Sequence, residues 1–459
     1  MILKYVGPFL RINKLKKETI KNQLFYLSKE SLKHIVLYSG CGIKTSAKEL
    51  KVKNIPSFDI NTFSSVSPLL CIYKKASPKL ESESTNSSWN PDKFKKEINI
   101  DSNALMTLSL FELGDHYHGF KNIDAKKYSL GELYKSLGKK QLEFYTSYFR
   151  NDEGVFVDKI EVSEGTSDKI VFTEKNKKFK FSTQALLMAA FYKASTVEGN
   201  KESESYKSFS IEILKMLIQY KEELYEVSLE ELSKLCLGLN IFYKYSGNEE
   251  CKLLLLDLCE LLNENALEYP FNCMAYINST LSSKNTGMLL FEENTKKIYS
   301  HLIDLYDLEK GMFIYDSDSK DLTYESSDIV IYLICILLGS EQVENSNYDS
   351  ILMDVYKRQL VDSGILLSWP EVPDTGDPER YRNFSLKAED LLDDQEFRMP
   401  SIASPESNEL APVFAKSIIY NRKKETYKEP KSSFDSYKNM LAFFLILTFF
   451  TTDNQGSAI

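Results

Sequence analysis

The chain has 459 residues, of which 43% are hydrophobic, 27% charged and 12% aromatic, a composition that is ordinary for a folded protein of two or three average domains. Its net charge of −9 and pI of about 5.4 exclude the broad basic surface that nucleic-acid binding requires. The seven cysteines include no CxxC pair, so the sequence predicts buried thiols rather than a disulfide framework or a zinc site.

The first 75 residues do not share the helical rhythm of the rest, and they predict one or two helices among short mixed segments. The start, MILKYVGPFLRINKLKK, lacks the apolar core and the cleavage site of a signal peptide. The stretch ASPKLESESTNSSWN, rich in Ser, Glu and Pro, begins a predicted linker. We therefore expect a mixed N-terminal segment (1–75), a linker (76–99) and a helical domain (100–459) in a cytoplasmic protein.

Two kinds of helix alternate from about residue 100. One kind is apolar nearly all round, as in ALMTLSLFEL, QALLMAAFY and IVIYLICILL, and the other has a single apolar stripe. Helices of the first kind are buried, whereas those of the second lie at the surface with the stripe inward, so the alternation predicts two concentric layers. Predicted inner helices begin near residues 104, 183, 229, 271, 327 and 405, and predicted outer helices near 129, 208, 249, 295, 346 and 433.

This rhythm resembles the (α/α)6-toroid superfamily, which includes six-hairpin glycosidases and related epimerases. The resemblance covers roughly residues 100–450 and rests on the helix pattern, not on a catalytic motif. It implies an all-α toroid of alternating inner and outer helices, with a small mixed N-terminal segment and a sugar groove where the inner helices begin. An open solenoid is the alternative, but it needs a more regular repeat and polar caps.

Loops that lead to inner helices carry acidic and aromatic residues, and this rim is where we expect a site. A glycosidase needs paired carboxylates for acid/base chemistry, and flat rings stack on sugar faces. The predicted catalytic residues are Asp158, Asp316 and Glu371. The predicted substrate-binding residues are Trp369, Trp89, Tyr315, Phe156 and Arg380.

The same loops have a structural interpretation. Gly154, Gly311 and Gly364 each stand where a helix would end on a left-handed residue, and Phe156 and Phe313 would then plug the helix ends. On this view the opening of each loop is first a helix stop. The alternative function is therefore a non-catalytic binding or scaffolding protein that uses the toroid surface.

No motif predicts a metal or a cofactor. The segment DSDSKDLTYE has alternating acids like a calcium loop but lacks the glycine and glutamate that such a loop requires. The expected partner is a glycan or another small-molecule ligand, with neither nucleic acid nor membrane, and the sequence leaves the oligomeric state open. The apolar run at 440–450 is about half a membrane span, so it predicts a buried helix, for which residues 1–75 are the available cover.

Overall fold

The structure is a computed structural model, and it describes residues 2–6, 17–50, 66–81, 88–163, 170–176, 178–197, 202–267, 271–315, 319–339, 347–371, 402–407 and 409–451. The helices are α1 (Lys17–Leu37), α2 (Ile100–His118), α3 (Ala125–Tyr148), α4 (Phe181–Ser195), α5 (Ser203–Gln219), α6 (Lys221–Leu224), α7 (Leu229–Ser246), α8 (Glu249–Asn265), α9 (Met274–Thr286), α10 (Leu289–Asp304), α11 (Ser326–Gly339), α12 (Asn347–Asp354) and α13 (Ser436–Phe450). A π-helical turn, Val355–Val361, continues α12.

Short strands connect these helices. They are β1 (Ile2–Val6), β2 (Gly42–Lys44), β3 (Leu69–Ile72), β4 (Lys75–Ala76), β5 (Glu97–Ile98), β6 (Lys159–Glu161), β7 (Phe172–Glu174), β8 (Tyr306–Asp307), β9 (Met312–Phe313), β10 (Asp321–Glu325), β11 (Ile402–Glu406), β12 (Ser417–Asn421), β13 (Thr426–Tyr427) and β14 (Phe434–Asp435). The three-stranded sheets have the orders β5-β6-β7 and β10-β12-β13, and β1 pairs antiparallel with β11.

The chain divides into two compact units. Unit A comprises Gly40–Lys75 and Phe94–Asp304, and unit B comprises Met1–Ser39, Ala76–Lys93 and Leu305–Ile459. This division interleaves along the chain, whereas the predicted segments 1–75, 76–99 and 100–459 are consecutive. Those boundaries stay a prediction.

Unit A is built from four pairs of packed helices: α2 with α3, α4 with α5, α7 with α8, and α9 with α10. The first member of each pair also packs against the first member of the next pair. Residues are buried almost continuously along α2 and α4, whereas only one face of α5, α8 and α10 is buried. The predicted alternation of buried and one-stripe helices is therefore present in this unit.

Side-chain caps fix where several of these helices begin. Asn99, Asp124, Ser228 and Asn248 each accept a hydrogen bond from a backbone amide in the first turn of the helix that follows. Such caps satisfy amides that have no partner inside the helix. The chain thus marks its helix starts locally, and this explains why the starts are predictable to within a few residues.

Unit B contains two further helix pairs, and one of them corrects the prediction. Helix α11 packs against α12 and the π-helical turn, while α13 packs against both α11 and α1. The predicted inner helix near residue 405 is wrong, because β11 and β12 lie there. The predicted outer helix near 433 is α13, but its residues are buried on nearly every side, so it has the character of an inner helix. The helix that packs against it besides α11 is α1, from the N-terminal segment.

Amide side chains near the starts of inner helices hold the backbone of buried residues that precede those helices. In the corner before α4, the Phe156 amide donates to Gln184 Oε1 at 3.1 Å, and Gln184 Nε2 donates to the Phe156 carbonyl at 2.8 Å. The same two-bond arrangement links Asn103 with Ile72 and Asn439 with Phe414. Each clamp bonds both the amide and the carbonyl of a buried residue.

The glycines that open these corners adopt the left-handed conformation. The φ angles are +83° at Gly154, +63° at Gly311 and +77° at Gly364. The chain turns inward after each glycine. The second residue after Gly154 is Phe156, the second after Gly311 is Phe313, and both are 1% exposed. The plugs are therefore confirmed at Phe156 and Phe313. The helix stops are wrong at Gly154 and Gly311, because α3 ends at Tyr148 and α10 at Asp304, and both glycines lie in turns further along the chain.

Candidate active site

Asp158, a predicted catalytic carboxylate, lies at the start of α2 in unit A. Its Oδ1 accepts a hydrogen bond from the Ile100 amide at 2.9 Å, and its Oδ2 lies 3.6 Å from Lys180 Nζ. The side chain is 13% exposed. Both carboxylate oxygens thus have protein partners, and one of them satisfies an amide at the helix start.

Lys180 is the centre of a charged group at the starts of α2, α4 and α7, which we call the Lys180 cluster (Asp101, Asp158, Lys180, Glu231). Asp101 is 1% exposed, accepts a hydrogen bond from the Thr183 hydroxyl and lies 3.8 Å from Lys180 Nζ. Burial disfavours the ammonium, yet the three carboxylates together hold the pKa of Lys180 above its usual value. The cluster is a network of one ammonium and three carboxylates, in which each carboxylate already has a partner.

The aromatic predictions Phe156 and Trp89 are covered by protein. Trp89 is 1% exposed, and its Nε1 donates to His34 Nε2 at 2.9 Å, while its ring meets Phe434 edge-on at 4.9 Å. Burial lowers the pKa of His34 to about 4, so the imidazole stays a neutral acceptor at pH 7. A role for either ring in stacking on a sugar stays a prediction.

The remaining predicted residues belong to unit B. Trp369 is 5% exposed, and its Nε1 is buried with no hydrogen-bond partner within the described ranges. Tyr315 is half-buried, and its hydroxyl donates to the Thr323 carbonyl at 2.6 Å. Glu371 is exposed, with its backbone carbonyl accepting from the Tyr26 hydroxyl. Asp316 and Arg380 lie outside the described residues.

A second charged group lies where α11 and α13 begin, and we call it the Lys438 cluster (Glu325, Asp328, Lys438). Lys438 Nζ forms an ion pair with Glu325 Oε2, and these side chains are 21% and 33% exposed. Asp328, at the third position of α11, accepts a hydrogen bond from the Glu325 backbone amide, as in a capping box. Burial raises the pKa of Asp328 to about 6, with the Glu325 charge adding to the rise and Lys438 opposing it.

An unsatisfied hydroxyl lies at the same helix end. Ser326, the first residue of α11, is 1% exposed, and its Oγ has no hydrogen-bond partner among the residues that the structure describes. Its backbone amide donates to the Lys416 carbonyl at 3.1 Å. Buried hydroxyls normally have a partner, so this one is an exception among the described residues.

The acidity of Asp328 has a consequence for stability. Because its pKa is about 6 when folded and about 3.8 ordinarily, the folded chain holds this proton more tightly between those values. The contribution of Asp328 to the free energy of unfolding should therefore fall by about 2 kcal/mol as the pH rises from 4 to 7. Denaturant titrations at several pH values should show the free energy of unfolding of the wild-type protein falling relative to that of Asp328→Asn over this range. A constant difference would contradict the prediction.

Sequence reasoning missed Asp101, Lys180, Glu231, Asp328 and Lys438 because it searched loops for catalytic groups. Except for Lys180, which immediately precedes α4, each of these residues lies in the first turn of a helix. A signal was present, because polar triplets such as DSN (101–103), STQ (182–184) and SSD (326–328) begin helices that are otherwise apolar. Polar residues on the buried side of a helix mark a hydrogen-bonding network or a site.

Across the described ranges, no group of three or more His, Cys, Asp or Glu side chains is placed to hold a metal ion. In that same part of the chain, no helix is both long and apolar enough to cross a membrane. The seven cysteines are buried, and none forms a disulfide bond.

The fold is shared with a solved structure of a sugar epimerase from a ruminal bacterium, at a TM-score of 0.51 and 11% identity, over 84% of this chain and 93% of that one. The chain has an (α/α)6-toroid fold. A D-mannose isomerase (TM-score 0.49, 10% identity, 95% of this chain and 100% of that one) and a termite endoglucanase from Nasutitermes takasagoensis (0.49, 12%, 96% and 99%) are also similar. No family model and no curated protein matches the sequence.

Proposed function

We propose that this toroid is a carbohydrate-active enzyme, a glycoside hydrolase or an epimerase-like protein, acting in an acidic and aromatic groove where inner helices begin. The observation that carries the proposal is the carboxyl pair of Glu325 and Asp328, in which Asp328 has a pKa of about 6. Proton transfer to or from a sugar oxygen or carbon is most efficient with a group whose pKa lies near the working pH. The shared fold with a sugar epimerase supports the same class of ligand.

The roles in this proposal follow from position. Asp328 would hold and release the proton, and Glu325 would stay paired with Lys438. The buried Ser326 hydroxyl would bond to a hydroxyl group of the sugar. The predicted catalytic residues Asp158, Asp316 and Glu371, and the predicted binding residues Trp369, Trp89, Tyr315, Phe156 and Arg380, belong to the proposal as groups to be tested singly.

One observation favours the alternative, a non-catalytic toroid that only binds its ligand. In the Lys180 cluster the carboxylates are already bonded within the protein: Glu231 accepts from both the amide and the hydroxyl of Ser182 at 2.9 Å, and Asp158 accepts from an amide. Carboxylates so engaged stabilise helix starts. A protein in which every acidic group were of this kind would bind sugars without transforming them.

The experiment is a turnover screen in D₂O followed by ¹H NMR. Mannose, glucose, N-acetylglucosamine, cellobiose and a panel of α- and β-linked oligosaccharides are each incubated with the full-length protein, and the same glycans are tested for binding on an array. Hydrolysis produces new anomeric signals, and epimerisation by proton abstraction produces both new signals and deuterium on carbon. Turnover of any sugar supports the enzyme. Binding without turnover supports the alternative, and silence in both assays overturns both.

A further inference from the structure

Lys438 extends from the first turn of α13 to the start of α11. Its ammonium pairs with the Glu325 carboxylate, and the lysine side chain is 21% exposed, so its stem is packed rather than free in solvent. Helices α11 and α13 pack against each other, and this places the two helix starts side by side. The lysine therefore links the acidic end of one helix to the start of its neighbour.

This is an unfavourable place for a cation. The amino end of a helix carries partial positive charge, so a lysine in the first turn is repelled by its own helix. Burial further disfavours the ammonium, but the hydrogen bond and charge of Glu325, with the charges of Asp328 and Asp435, outweigh the effect of burial, so the pKa of Lys438 is raised. Asp435 itself caps α13 by accepting from the Lys438 amide at 3.3 Å. Helix stability alone gives no reason for a lysine here.

The same arrangement occurs independently in unit A. Lys180 immediately precedes α4, and its ammonium reaches Asp101 in the first turn of α2 at 3.8 Å and Asp158 at 3.6 Å. In both units a lysine at the start of one inner helix thus forms ion pairs with carboxylates at the start of the neighbouring helix. The repetition within one chain indicates that the lysine is matched to the carboxylates rather than to its own helix.

We propose that Lys438 is a positioning residue that holds Glu325 in an ion pair, so that Asp328 is the carboxyl group that takes up and releases the proton. The inference rests on the proposed function for its catalytic meaning, but its physical content is a coupling between Lys438 and Asp328. That coupling is measurable without a substrate. The charged groups that act on Asp328 are Lys438 from α13 and Glu325 immediately before α11.

The test is the pKa of Asp328 in the full-length protein with and without Lys438. Unfolding free energies are measured from pH 4 to 9 for wild type, Lys438→Met, Asp328→Asn and the double variant, and the Asp328 pKa is obtained from the pH-dependent difference between each pair. Removing the cation and releasing the Glu325 charge should raise the pKa of Asp328 by about 1 unit. Lys438→Arg, which keeps the charge, should restore the wild-type value.

Lys428→Met is the matched control, because Lys428 pairs with Asp321 at 2.7 Å on the β10-β12-β13 sheet and belongs to neither cluster. It should leave the pKa of Asp328 unchanged. An unchanged pKa in Lys438→Met, or no rescue by arginine, overturns the inference.

The activity measurement separates this inference from the proposed function. With a sugar that the wild-type protein turns over, the apparent pKa that Asp328 gives to the kcat–pH profile should rise in Lys438→Met by the same amount as the Asp328 pKa itself, while KM changes little. A shifted Asp328 pKa without turnover of any sugar overturns the enzyme function and upholds the coupling. Turnover with an unmoved limb overturns the positioning role and upholds the enzyme.

Discussion

Asp328→Asn is expected to lower kcat on any sugar that the protein turns over by about 10²- to 10⁴-fold, the usual contribution of a general acid or base. Asparagine matches the carboxyl group in size and keeps an oxygen that can accept from the Glu325 amide, so the capping bond survives. It cannot exchange a proton near pH 6, and that is the property on which the proposal depends. Steady-state kinetics over pH 4 to 9 would measure the loss.

Asp115→Asn is the control for this experiment. Asp115 lies in the last turn of α2, where it pairs with Lys193 at 2.6 Å and Lys135 at 3.4 Å. The Asp115→Asn variant should leave kcat unchanged. The predicted catalytic carboxylates Asp158, Asp316 and Glu371 would be replaced singly by their amides beside it. If Asp328→Asn retained activity while one of these variants lost it, the proton-transfer role would belong to that residue instead.

Phe156→Ala is expected to reduce the free energy of unfolding by about 3–5 kcal/mol, the usual cost of emptying a buried aromatic site. The ring is 1% exposed and packs against Phe191 and Phe209, with centroids 6.1 Å away in both cases. Gln184 fixes its backbone by two hydrogen bonds, so the corner has little freedom to collapse into the space. Denaturant titration would measure the change.

Tyr148→Ala is the matched control, because this aromatic residue belongs to the same corner but is 43% exposed. It should cost about 1 kcal/mol or less. The comparison also decides between the two interpretations of Phe156. A stacking platform would lose sugar affinity on truncation with little change in unfolding free energy, whereas a plug would lose stability first.

The helix rhythm of the sequence was sufficient for the fold class. A helix that is buried on all sides needs apolar residues all round, whereas a helix with one solvent-exposed face needs a single apolar stripe. This difference in composition is local, so the sequence shows it directly. Local reasoning also identified Gly154, Gly311 and Gly364 as left-handed positions, since glycine adopts positive φ without strain, but it wrongly took Gly154 and Gly311 as the ends of helices. Strict alternation in chain order then misplaced the sixth pair, because α13 packs against α1, which comes from the other end of the chain.

The chemistry depended more on tertiary structure than the fold did. Carboxylates are common in loops, so the sequence could propose Asp158, Asp316 and Glu371 from their neighbours, but it could not say which carboxylate would be buried beside which charge. Asp328 and Lys438 are 110 positions apart in the chain. Only the packing of α11 against α13 brings the Lys438 ammonium to the start of α11, where burial raises the pKa of Asp328.

The sequence by itself therefore determined what is local: helix type, helix starts, corner glycines and the all-α class. The tertiary structure alone decided which helices pair, which acids are buried and where the charged clusters form. The physical reason is range. Helix propensity and capping act over a few residues, whereas desolvation and Coulomb interactions depend on neighbours that only the completed fold supplies.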